Sequence, residues 1–206
     1  VTVEADAFGN RIARYRRGPK RPGPVCAFAA HMDHPAWVRQ GKEWTFLGGV
    51  PERVRAGAPR PGADAEGPFA MWDLPAFEPR GTEIHSRACD DLAGCAAIVA
   101  LFDALEAAGV ETECYGLFTR AEEVGFVGAL ELAASGRVPR EGTVIVSLET
   151  SAARPPAAMG EGVVVRVGDR LTVFDPAFTA LATALAASGG IPHQRCLMSG
   201  GACEAT

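Results

Sequence analysis

Lysine is nearly missing from this chain: of 20 basic residues only Lys20 and Lys42 are lysines, and basic residues gather only over Arg11–Lys20. Set against 25 acidic residues and a net charge of −5, that leaves no positive face for a polyanion and argues against nucleic acid as a partner. Long hydrophobic runs are missing too. The longest strongly apolar stretch, Leu92–Phe102, is far short of the roughly 20 residues that span a bilayer, and no charged-apolar-small leader opens the chain, so no membrane partner is expected. No Cys-x-x-Cys pair occurs among Cys26, Cys89, Cys95, Cys114, Cys196 and Cys203. Their scatter, several within apolar runs, reads as buried thiols in a reducing, cytoplasmic compartment. What is present is ordinary for a globular protein: 206 residues, 48% hydrophobic and 22% charged, which sets aside disordered, collagenous and disulfide-scaffold classes. The length suits one compact domain with an elaboration, and Val1 and Thr206 read as points inside a longer chain.

Apolar runs at Val25–Ala30, Glu113–Thr119 and Thr143–Leu148 have the length and β-branched or aromatic content of buried strands. Between and before them, Asp91–Ala108 and Glu123–Ser135 repeat apolar residues at helical spacing, as in Leu92, Cys95, Ile98, Val99, Phe102 and Leu105. A strand at Gly162–Val167, a helix at Pro176–Ser188 and a short strand near Gln194–Leu197 continue the alternation. The expected fold is α/β, with a mostly parallel central sheet flanked by helices in three layers. Residues 35–88 break the pattern. Six prolines fall between Pro51 and Pro79, and the regular pieces are β-like runs at Glu43–Leu47 and Phe69–Trp72. A catalytic α/β domain of residues 1–34 and 89–206 is therefore expected to carry a small β-rich insertion at 35–88, with a mobile loop over Ala56–Gly67.

Ligands of open α/β sheets bind beyond the carboxyl ends of the strands, and acidic residues recur there. His31 and Asp33 follow the first buried strand, Asp90 and Asp91 open a helix, Glu122 and Glu123 follow the next strand, and Glu149 closes the one after. Six carboxylates and an imidazole converging on one edge need raised pKa values or a compensating cation. One imidazole with several carboxylates suits zinc, cobalt or manganese. Two divalent ions are expected, because a carboxylate can bridge a pair about 3.5–4 Å apart, and Asp90 is the candidate bridge. The i, i+2 spacing of His31 and Asp33 lets the Asp33 side chain reach the far imidazole nitrogen and orient the ligand. Glu122 and Glu123, as neighbours, point different ways, so one can ligate metal while the other handles a proton. Asp91 reads most simply as the N-cap of the helix that begins at Leu92.

These residues resemble the co-catalytic dinuclear zinc peptidases, and most closely the glutamyl or deblocking aminopeptidases that form tetrahedral particles. DAFGNRI at Asp6–Ile12 is similar to the family's lead-in strand, HMDHPAW at His31–Trp37 to its first ligand motif, ACDDLAGCAA at Ala88–Ala97 to its bridging-aspartate motif, and TRAEEVGFVGA at Thr119–Ala129 to its double-glutamate motif. SLETS, GEGVVVRVGDR, GIPHQ and SGG follow in the family's order. The resemblance implies a zinc-exopeptidase-like fold and a metal-dependent aminopeptidase acting on peptides. It implies His31, Asp90, Glu123 and Glu149 as ligands, Asp33 orienting His31, a metal-bridging hydroxide as nucleophile and Glu122 as general base. A homo-oligomer is a further implication. Two departures keep alternatives open. Glu149 stands where these aminopeptidases usually have Asp, which points to related carboxypeptidases or N-acyl-amino-acid deacylases. The family's last histidine ligand has no counterpart in residues 1–206, which leaves an inactive homologue as a further reading; His34, His85 and His193 do not match ligand positions.

Overall fold

The computed structural model describes residues 1–19, 22–57 and 67–206, so most of the loop expected over Ala56–Gly67 lies outside the described residues. The chain divides into two units, Val1–Thr150 and Ser151–Thr206. In the first, strands β1 (Thr2–Ala5), β2 (Arg11–Arg16) and β3 (Val25–His31) are followed by β4 (Ala36–Gln40), β5 (Glu43–Leu47), a short helix α1 (Glu52–Gly57), β6 (Phe69–Ala70), β7 (Glu78–Arg80) and β8 (Glu83–His85). Helix α2 (Cys89–Ala107), strand β9 (Glu113–Thr119), helix α3 (Val127–Ser135) and strand β10 (Thr143–Ser147) complete it.

The central sheet has the order β1-β2-β9-β3-β10. Strands β9, β3 and β10 run parallel, as helix-bearing connections require, whereas β2 runs antiparallel to both β1 and β9. The sheet is thus mixed, with its parallel part where the acidic residues end the strands. Side chains alternate across it. Ala13, Tyr15, Ala30 and Cys114 face one side and pack with Ile98 and Phe102 of α2; Ile12, Ala27, Ala29, Tyr115 and Leu117 face the other with Leu132 of α3. This is the expected helix–sheet–helix layering. Its closeness on the α2 side depends on Gly116, where a Cβ would come within 2.6 Å of the Ile98 side chain.

Residues between β3 and α2 form a three-stranded sheet, β5-β4-β6, and a β7–β8 hairpin. Trp37, Phe46 and Trp72 meet edge-on with centroids 5.0–5.5 Å apart, the arrangement favoured by the ring quadrupole, and supply the apolar centre of this β-rich stretch. Strand β4 was not expected. AWVRQ is too short and too polar at its end to stand out, and it forms because it pairs on both edges, with β5 and β6.

In the second unit, β11 (Val163–Gly168) pairs in parallel with β12 (His193–Leu197), joined by α4 (Pro176–Ser188). The helix starts where expected: the Asp175 side chain accepts the Phe178 N–H at 2.7 Å, and Pro176 occupies the first turn, where its missing N–H leaves no intrahelical bond unmade.

Candidate metal centre

His31, the last residue of β3, is buried. Its Nδ1 donates to the main-chain carbonyl of Asp33 at 2.8 Å, which turns Nε2 toward Asp90 Oδ1 at 3.1 Å and toward Glu122 Oε2 and Glu149 Oε2, both at 3.9 Å. Burial disfavours the imidazolium, but the Asp90, Glu149 and Glu122 carboxylates outweigh it and push the His31 pKa up to about 10. The Asp33 group that meets Nδ1 is thus its main-chain carbonyl, where the side chain was expected. Its carboxylate stands 3.7 Å from Nδ1 and instead accepts the backbone N–H of Glu122 at 3.1 Å and of Glu123 at 3.3 Å. The physical reason is competition: Nδ1 can donate only once, and the nearer carbonyl takes the proton.

Asp90 and Asp91 lie at the start of α2 with non-helical backbone angles, so the regular helix begins at Leu92. Asp91 Oδ1 accepts the Gly94 N–H at 3.2 Å, the capping role read from the sequence. Gly94 leaves room for it, since a Cβ there would meet the Asp91 carboxylate at 2.6 Å. Asp90 directs Oδ1 to His31 Nε2, with its side chain 55% exposed. Glu149 follows β10 with its side chain only 8% exposed. Burial, then the Asp90 and Asp91 charges, hold its carboxyl well above the usual range. For Asp90, burial acts upward, but the hydrogen bonds from His31 and Glu149 prevail and lower it.

Glu122 and Glu123 stand on a loop after β9, not on the helix, which was expected from Glu123 and begins at Val127. The reason is local backbone. Ala121 and Phe126, both at φ 58°, are the two non-glycine residues with positive φ among the described residues, and Phe126 in the left-handed region ends the loop. Glu123 Oε2 also accepts the Gly49 N–H from beyond β5 at 3.3 Å, a contact that no sequence spacing announces. Burial, foremost, pushes the Glu123 carboxyl up.

Among the described residues, three sets of potential ligand atoms each lie within 4.8 Å of one another: His31, Asp90 and Glu123; His31, Glu122 and Glu149; Asp90, Asp91 and Glu149. All six residues named as site residues from the sequence are brought to one edge, five of them in these sets and Asp33 behind Glu122 and Glu123. Asp91 is an addition. His85 pairs with Glu83, and His193 Nδ1 donates to the Ile191 carbonyl; neither belongs to a set. The donors are one imidazole and the oxygen atoms of five acids, whose mutual repulsion is relieved by protonation, as at Glu149 and Glu123, or by a bound cation. The residues therefore fit a divalent cation. Such a cluster at the carboxyl ends of the parallel strands makes this edge the candidate metal centre.

A family model for the M42 glutamyl aminopeptidases matches residues 65–206. The chain belongs to the M42 glutamyl aminopeptidase family and is a metal-dependent aminopeptidase by class. No curated protein sequence matches it. Among solved structures, a TET aminopeptidase from a marine sediment Thaumarchaeota archaeon is 20% identical with a TM-score of 0.79, covering 99% of this chain and 74% of that one. An aminopeptidase from Desulfurococcus kamchatkensis is 20% identical with a TM-score of 0.78, covering 100% and 72%. The Pyrococcus horikoshii TET1 peptidase, which can assemble into a tetrahedron or a large octahedral shell, is 20% identical with a TM-score of 0.77, covering 99% and 76%. At these identities the likeness is one of fold.

Proposed function

We propose that this aminopeptidase removes N-terminal residues from peptides with two divalent ions, zinc foremost and cobalt or manganese as alternatives, and with Glu122 as general base. The observation that carries the reading is the overlap of the ligand sets, in which Asp90 stands both with His31 and Glu123 and with Asp91 and Glu149, where its two carboxylate oxygens could serve two ions. When bound, the ions supply Lewis acidity to a water and to the scissile carbonyl. The chain's own residues do the rest. His31 is held with Nε2 inward by the Asp33 carbonyl, so that once its Nε2 proton is displaced it offers a lone pair without rotating. Glu122 has its main-chain N–H fixed by Asp33 and its side chain 13% exposed beside His31, where it takes a proton from the attacking water and returns it to the leaving amine.

Metal content by mass spectrometry, together with hydrolysis of aminoacyl-nitroanilides, tests this. Two ions per chain and amine-dependent cleavage are expected. A protein that takes up no metal and stays inactive with zinc or cobalt contradicts it. Cleavage confined to blocked N-termini or free C-termini would favour the deacylase or carboxypeptidase reading to which Glu149 points.

Three coarser parts of the reading accompany it. Residues 35–88 act as an insertion in a catalytic body of 1–34 and 89–206. Exposed Phe69, Phe77 and Ile84 within that insertion offer apolar surface for a homo-oligomer. Six free cysteines suit a cytoplasmic setting; among the described residues no helix is long and apolar enough to cross a membrane.

A further inference from the structure

The loop that carries Glu122 and Glu123 leaves the sheet at Arg120 and returns at Gly128. Main-chain bonds join its two ends at a neck, Gly128 N–H to the Arg120 carbonyl at 2.9 Å and Val127 N–H to the Ala121 carbonyl at 3.1 Å. That leaves the Arg120 N–H and the Gly128 carbonyl facing the interior. Both go to one side chain. Asn10, from the turn between β1 and β2, accepts the Arg120 N–H on Oδ1 at 3.0 Å and donates from Nδ2 to the Gly128 carbonyl at 2.9 Å. Its second Nδ2 proton goes to Asp6 Oδ2 at 2.6 Å, and Asn10 is 0% exposed. The amide cannot be flipped, because its NH2 would then face the Arg120 N–H and its oxygen the Gly128 carbonyl and the Asp6 carboxylate. Asp6 Oδ1 accepts the backbone N–H of Gly9 and Asn10, so the turn is itself fixed, and Arg120 reaches back to the Phe8 carbonyl at 2.8 Å.

We propose that Asn10 is a positioning residue for the reaction: its carboxamide staples the two ends of the loop at residues 120–128 and thereby sets where Glu122 and Glu123 stand. Such a staple adds to the main-chain bonds within the loop. The loop holds Ala121 and Phe126 in a backbone region that L residues adopt only when their surroundings over-determine it, and α3 has no side-chain cap of its own. Gly128 completes the device, since a Cβ there would lie 2.1 Å from the Arg120 carbonyl and 2.6 Å from Asn10 Oδ1 and would force the neck apart. The inference rests on the roles assigned above to Glu122 and Glu123.

Asn10→Asp keeps the acceptor for Arg120 but turns the donor to Gly128 into a carboxylate oxygen facing that carbonyl and Asp6. Amide hydrogen exchange and cobalt titration followed by visible absorption are read on the same samples. The expected result is loss of exchange protection confined to residues 120–128, with β2 and β9 still protected, and a cobalt affinity weaker by about 10- to 100-fold. Gly128→Ala, acting on the opposite side of the neck, should do the same, and the double variant should lose little more than either single one because both release one contact. Protection lost equally across β2, β9 and α2, with cobalt affinity of the folded fraction unchanged, would mean that Asn10 merely stabilises the fold and would overturn the proposal. Should neither variant fold, the parent protein decides: its Arg120 amide must exchange as slowly as those within β9, and rapid exchange overturns the proposal. Glu123→Gln separates the two levels of the argument. Unchanged cobalt binding in that variant refutes the ligand assignment, while loop exchange in Asn10→Asp still judges the staple.

Discussion

Two buried acids end strands in this molecule, Glu149 after β10 in the first unit and Asp169 after β11 in the second, and they are treated in opposite ways. Asp169 is surrounded by donors: its Oδ1 accepts the N–H groups of Leu171 and Thr172 at 2.8 and 2.9 Å, and its Oδ2 accepts the Thr206 hydroxyl at 2.8 Å. Burial acts upward on its carboxyl, but these bonds prevail and hold it below the ordinary carboxylate value. Glu149 takes one main-chain N–H, from Thr150, and otherwise faces Asp90, Asp91 and, at 3.9 Å, His31; burial and the two aspartate charges outweigh the imidazolium and hold it high. An acid whose lone pairs are filled from its own loop is a structural part. An acid set against other acids is held for a cation.

The largest effect that bears on this contrast is expected at Glu122. Glu122→Gln should lower aminopeptidase turnover by about 10²- to 10⁴-fold while the variant still binds metal, as read by steady-state assay and metal analysis on one sample. Retained turnover would assign the base elsewhere. Glu149→Gln should weaken metal binding by at least about 100-fold, a ligand loss exceeding the effect of an outer partner, yet leave the metal-free chain about as stable as before, because Glu149 is already protonated there and glutamine is its neutral near-isostere. Denaturant melts with and without zinc distinguish this from a structural acid, whose loss would destabilise both forms. Asp169→Asn should show that structural pattern: a loss of about 1–3 kcal/mol and no change in metal affinity. The smallest effect is the pH dependence of that contribution. Because the folded pKa of Asp169 lies below its unfolded value, its stabilisation is complete above about pH 4 and declines as pH falls through the folded value. Acid melts of the parent and of Asp169→Asn should converge there.

Much of this was legible from residue order alone. Strand β9 and helix α4 lie where the apolar pattern set them, and the strand-end acids anticipated the cluster, because the carboxyl ends of parallel strands share one edge. What was hidden is non-local. The start of α3 was misplaced by the left-handed Phe126, a backbone state that a phenylalanine does not advertise. The Asp33 carboxylate serves Glu122 and Glu123 because the fold, not the i, i+2 spacing, brings those amides to it. Asn10 fell within a stretch read as a strand, and its partners at Arg120 and Gly128 are more than a hundred residues away in the chain.

The central claim is that this acidic edge exists to hold divalent cations, and calorimetric zinc titration at pH 7 in buffers of different ionisation enthalpy tests it most directly. With the His31 pKa at about 10 and Glu149 also raised, both carry protons before metal arrives and must give them up. The account predicts tight binding whose heat changes with the buffer in proportion to released protons, and an apparent affinity that climbs by about tenfold per pH unit for each proton displaced. Absence of binding, or binding whose heat is the same in every buffer, would contradict it.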